Sequence, residues 1–182
     1  MVGTPERDDA QAAVGPGMSR LAEISALVLD PLRGRSDADC ERVRDGKWSP
    51  AQIVEHLAIG LVGSAHKFAE RRDRPPMQRR PRSIVQRVAG LALLDLGWYP
   101  QGFKAPEGTV PAAGITRAAA EAHFREGIAR WEALERDLLP RRPRDLFLKH
   151  PRLGDLNLSE WIRFHLMHAR HHAPQIRARL GG

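Results

Sequence analysis

The stretch Asn157-Leu158-Ser159-Glu160-Trp161-Ile162-Arg163-Phe164-His165-Leu166-Met167-His168-Ala169-Arg170-His171-His172 decides the fold. Asn157 and Glu160 form a capping box that opens a helix, and Trp161, His165, His168, His172 and Ile176 then recur along one inward stripe. His168 and His172, at i and i+4, differ by only about 40° around the axis and about 6 Å along it. Their imidazoles can therefore converge on one metal ion as a two-histidine clip.

Two ligands do not complete a site, because a catalytic divalent ion such as zinc takes three protein ligands and keeps a position for water. The third donor expected is His56, in Trp48-Ser49-Pro50-Ala51-Gln52-Ile53-Val54-Glu55-His56-Leu57. There Ser49 supplies a capping hydroxyl, Pro50 occupies the first helical position and Gln52 stands at the capping-box position. This helix two carries Ile53, Leu57, Leu61 and Ala65 on one stripe and ends before Pro75-Pro76. Three histidines on two helices would enclose a concave, water-bearing centre.

The remaining elements follow the same periodicity. Leu21, Ile24, Leu27 and Val28 mark helix one, closed by Pro31, while Gly15-Pro16-Gly17 separates residues 1–17 as a flexible N-terminal segment from a single domain over 18–182. Thr116 caps helix three, whose Phe124, Ile128, Trp131, Leu134 and Leu138 precede Pro140, and helix four runs to Gly181-Gly182. The connection over 71–115 is too long to be bare loop, so 83–96 is expected to be a short accessory helix and 98–114, rich in Gly and Pro, an irregular crossover. No alternating run makes a strand and no repeat appears. The expected architecture is all-α, a four-helix bundle with a long crossover between helices two and three.

Composition narrows the function. The 182 residues make one domain, and 42% apolar residues with few aromatics suit helical packing. A lone Cys40 excludes an internal disulfide and argues against a thiolate metal site, which with the absence of a secretory pattern near the N-terminus points to the cytoplasm. The apolar run Val88-Ala89-Gly90-Leu91-Ala92-Leu93-Leu94 stops at Asp95, far short of the roughly 20 residues of a membrane span, so no membrane partner is expected. The net charge of +7 is concentrated in Arg71, Arg72, Arg74, Arg79, Arg80 and Arg82, read as a solvated connection in preference to a nucleic-acid arm.

Two motifs together, Gly46-Lys47-Trp48-Ser49-Pro50 leading to His56-Leu57, and His150-Pro151 with Leu156 to Trp161 leading to His168-Ala169-Arg170-His171-His172-Ala173-Pro174-Gln175-Ile176, resemble the DinB/YfiT-like superfamily of helical-bundle metalloproteins. The resemblance covers about residues 18 to 180. It implies an up-down-down-up bundle, frequently a homodimer, with zinc or nickel held by one histidine of the second helix and two of the fourth, here His56, His168 and His172. Similar proteins are thiol-dependent S-transferases or isomerases using low-molecular-weight thiols, or metal-dependent hydrolases. The function expected is therefore a divalent ion, bound by this histidine triad, that activates a small thiol or water toward a small-molecule substrate. The competing expectation is a non-catalytic, metal-stabilised bundle that serves as a binding or dimerisation module.

Around the ligands, His165 lies at i, i+3 from His168 and is expected to support the site as a hydrogen-bond donor to a ligand. His171, about 100° from His172, should face the flank or a dimer surface. Gln52 and Gln175 each sit near a ligand and could orient it or bind substrate. Trp48 and Trp161 read as anchors at helix entries whose rings could wall the pocket. Glu55 points elsewhere on its helix and is not expected to be a general base.

Overall fold

The computed structural model describes residues 18–95, 97 and 105–181, so the expected flexible segment 1–17 and the crossover residues 98–104 lie outside the described residues. Within these, the protein is mostly helical. Helix α1 spans Arg20–Leu29, α2 Asp37–Glu41, α3 Pro50–Ala69, α4 Ile84–Gly90, α5 Arg117–Leu138 and α6 Leu158–Arg179, and an antiparallel hairpin of β1 (Leu148–His150) and β2 (Gly154–Leu156) precedes α6. No described helix is long and apolar enough to cross a membrane.

The long helices begin where side chains can satisfy their first amides. The Gln52 amide donates to Ser49 Oγ (3.2 Å) while the Ser49 amide donates to Gln52 Oε1 (3.0 Å), and Asn157 and Glu160 repeat this exchange at 2.9 and 2.8 Å. Ser19 and Thr116 accept from Ala22 and Ala119 at the starts of α1 and α5. The expected accessory helix is α4, with Ser83 and Gln86 forming its capping box and a π-helical turn over Leu91–Asp95 extending it.

Helix α3 packs along α5 and also touches α6, while α1 packs on α6 and on α5. The α3–α5 approach depends on Gly127, because a Cβ there would lie 2.8 Å from Leu61 Cβ and 3.4 Å from Val62 Cγ2. The opposing atom is a Cβ tied to its helix backbone, so it cannot swing aside. Trp131, fully buried one turn later, donates its indole N–H to the Leu61 carbonyl at 3.0 Å. Replacing Gly127 by alanine should therefore lower stability by about 1–3 kcal/mol through overpacking, partly offset by about 1 kcal/mol of helix propensity. A urea midpoint that does not fall would show that the helices separate without strain.

Two elements have no counterpart in the periodicity. Helix α2 is only five residues, opened by Ser36 Oγ accepting from the Asp39 amide at 3.1 Å, and each hairpin strand is three residues, too short for alternation to register. The hairpin nonetheless organises the base of α6, since Trp161 Nε1 donates to the Leu148 carbonyl at 3.0 Å. The arginine-rich segment is fastened to this same region. Arg79 grips Glu160 through two bonds of 3.0 and 2.7 Å, Arg82 reaches Glu160 and the Asp155 carbonyl, and Arg80 binds the buried Asp155 carboxylate through its backbone amide and guanidinium.

Candidate metal centre

Helix α3 contributes His56 and α6 contributes His168 and His172, and one ligand atom from each lies within 4.8 Å of the others. The Nε2 atoms of His56 and His168 are 3.2 Å apart, and those of His172 and His168 are 3.1 Å apart. Nitrogens bound tetrahedrally to an ion at about 2.05 Å stand about 3.3 Å apart, so two of the three separations match a shared cation.

The hydrogen bonds behind the rings support that fit. His56 Nδ1 donates to the Thr109 carbonyl at 2.8 Å, and His172 Nδ1 donates to Gln175 Oε1 at 3.0 Å. With their protons committed at Nδ1, both rings turn an unprotonated Nε2 toward His168. A single proton on His168 Nε2 can answer only one of those two lone pairs, whereas a cation answers all three nitrogens. Burial keeps the rings neutral and able to ligate. It pushes the His172 pKa down to about 4, with the charge of His56 adding to the effect, and it lowers His56 and His168 as well.

Each remaining candidate has a definite place. Gln175 holds two histidines, because its Nε2 donates to His171 Nε2 at 3.2 Å while its Oε1 receives His172. Replacing Gln175 by alanine should weaken metal binding by about 10- to 100-fold, the usual cost of removing the partner that orients a histidine ligand, and competition with a chromophoric chelator would measure it. Gln52 is committed to the α3 cap, with Nε2 at 3.5 Å from the Ala112 carbonyl. The Trp48 ring lies against His56 with centroids 5.1 Å apart, and Phe164 stacks on His168 at 5.6 Å. Glu55 accepts from His123 Nδ1 at 3.0 Å on the side facing α5.

His165 does not join the triad and bonds Ser64 Oγ at 2.9 Å, with Trp131 and Trp161 rings 5.2 and 5.6 Å away. Ser64 in turn donates to the Gly60 carbonyl at 2.6 Å, so His165 carries its proton on Nε2. His150 accepts at Nδ1 from the Arg152 and Leu153 amides, both at 3.2 Å, and packs on Phe164 and Trp161. Thr109 and Ser64 were not among the sequence candidates. Thr109 acts through its backbone, which leaves no mark in sequence, and Ser64 shows only its stripe position on α3.

Burial depresses the pKa of His165 to about 3 and of His150 to about 4 from an ordinary 6.5. Both are neutral in the folded chain and protonate first in the unfolded one. Their contribution to stability is thus complete above pH 6.5 and is lost as pH falls toward 4. Each costs about 1.4 kcal/mol per pH unit across that window, so metal-free protein should lose several kcal/mol between pH 7 and pH 5 in urea titrations. A flat profile would contradict the burial of both rings.

Neither described cavity includes a triad residue. One of about 560 Å³ lies between the ends of α1 and α6, beside Leu27, Pro31, Arg35, Arg177 and Leu180. Another of about 210 Å³ lies between α4 and α6. Compared with known proteins, residues 20–176 match the family model described as the DinB superfamily. No curated protein and no solved structure matches the chain.

Proposed function

The chain belongs to the DinB superfamily, and from that premise we propose that it is a metal-dependent enzyme in which His56, His168 and His172 hold one divalent ion, zinc or nickel, for S-transfer or hydrolysis with a small thiol or water. The observation that carries this reading is the pair of Nε2 separations of 3.2 and 3.1 Å, centred on His168, with the Nδ1 protons of His56 and His172 already donated elsewhere. An ion bound there lowers the pKa of a coordinated thiol or water toward neutrality and polarises an acceptor. The chain's own residues set the conditions: Thr109 and Gln175 fix two rings, burial keeps the ligands neutral, and Trp48 covers one side of His56.

Among the described residues the cluster contains no carboxylate or thiol. Three neutral ligands leave the full charge of a divalent ion uncompensated, which favours an anionic reactant such as a thiolate. In the same reading the four long helices form the up-down-down-up bundle of the family, and the protein works as a cytoplasmic homodimer.

A metal that only stabilises the bundle is the second reading, favoured by the burial of the three ligands. Elemental analysis of protein purified without affinity metals, followed by a panel of small thiols and electrophiles, separates the two. One ion per chain with thiol consumption that stops on chelation supports the enzyme. Bound metal, no turnover and a large fall in melting temperature on chelation would support the structural role, and absence of any ion would defeat both.

A further inference from the structure

The accessory segment after the arginine run exposes an apolar ridge that no described element covers. Ile84, Val85, Val88 and Leu91 are 79%, 76%, 62% and 56% exposed, and four large apolar side chains so placed within eight residues are unusual on a chain whose core is otherwise closed. At 100° per residue, Ile84, Val88 and Leu91 fall within about 60° of one another. The side of the segment away from these three holds the buried Gly90.

A basic cleft adjoins the ridge. Arg82, Arg87 and Arg163, with Glu160, Gly90, Leu91 and Leu94, line the cavity of about 210 Å³, and Leu91 belongs to both features. Glu160 is already gripped by Arg79 and Arg82, so its charge is spent. Arg82 Nε is buried with no hydrogen-bond partner, and the exposed Arg87 guanidinium makes no ion pair among the described residues. Of the arginines over residues 79–95, Arg79, Arg80 and Arg82 are held by Glu160 and Asp155, which leaves Arg87 as the cation at the rim of the ridge.

We infer that this face docks on an anionic phospholipid surface, with Ile84, Val85, Val88 and Leu91 entering the headgroup boundary and a lipid phosphate received between Arg82 and Arg87. An apolar ridge rimmed by arginine is the pattern of a helix that lies in the interfacial plane. The shortness of the apolar run excludes crossing a bilayer and is no obstacle to resting on one. A second copy of the chain fits the ridge less well, since two-fold pairing through Ile84, Val88 and Leu91 would bring each Arg87 toward its mate.

Sedimentation of the full chain with vesicles tests this, using phosphatidylcholine alone and phosphatidylcholine with one-third phosphatidylglycerol. Retention is expected on the anionic vesicles only, weakened more than about tenfold by Val88→Asp and about fivefold by Arg87→Gln, and falling steeply with salt. Both positions are exposed, and an unchanged circular dichroism melt confirms that each variant folds. No retention at low salt, or retention that Val88→Asp leaves intact, overturns the inference. So does a Val88→Asp variant that turns a dimer into a monomer without vesicle binding in either form, which would assign the ridge to a second copy. Inorganic phosphate that raises the melting temperature of a protein no vesicle retains would reduce the cleft to a site for soluble anions and overturn it as well.

Discussion

Replacing His168 by alanine is expected to abolish stoichiometric metal binding while the helices stay folded. Its Nε2 is the shared member of the two short separations, 3.2 Å to His56 and 3.1 Å to His172, so its removal takes away the donor that both other ligands meet. If a three-ligand site binds with about 12 kcal/mol, losing one ligand forfeits roughly 4 kcal/mol, close to a thousandfold in affinity. The metal-free fold should suffer little, because in the absence of a cation one of the two facing lone pairs goes unanswered and the substitution relieves that crowding. Titration with a competing chelator reads the affinity, and a thermal melt of the metal-free variant reads the fold. Retention of one tightly held ion would mean that the ligand set lies elsewhere, and collapse of the metal-free variant would make His168 a packing residue.

The largest loss of stability is expected at Trp131. It is fully buried, donates to the Leu61 carbonyl and meets Phe68 and His165 with centroids 5.5 and 5.2 Å apart. Truncation to alanine should cost about 3–5 kcal/mol, a large share of the roughly 5–15 kcal/mol of a typical domain. Phenylalanine should restore most of the packing without the indole hydrogen bond. Urea unfolding followed by circular dichroism distinguishes the three proteins, and a loss below about 1 kcal/mol for alanine would show that the α3–α5 seam can collapse around the void.

The convergence of His56, His168 and His172 was legible because helical spacing fixes the angle between side chains on one helix, and because capping residues fix where each helix starts. Ser49-Pro50 set the phase of α3 and Asn157 with Glu160 that of α6, so the faces bearing the histidines could be assigned before any tertiary contact was known. What decided the rest was long-range. His165 lies on the same face of α6 as His168, yet Ser64 on α3 and the rings of Trp131 and Trp161 claim it. Gln52 and Gln175 look alike in sequence, each near a ligand, but the first is consumed by its own cap and only the second reaches an imidazole. The arginines read as a solvated run, and the carboxylates that fasten three of them, Asp155 and Glu160, lie more than seventy residues away. Helix α2 and the hairpin were invisible for a simpler reason: neither is long enough to show a period.

The grip of the Thr109 carbonyl on His56 has an evolutionary consequence. A main-chain oxygen is present whatever amino acid is encoded, so the short turn over Glu107–Thr109 can drift in spelling without disturbing the ring it steadies. Its length is another matter. An insertion or deletion of one codon there would slide the oxygen out of reach, so among natural variants of this chain the count of residues should be kept more faithfully than their identities.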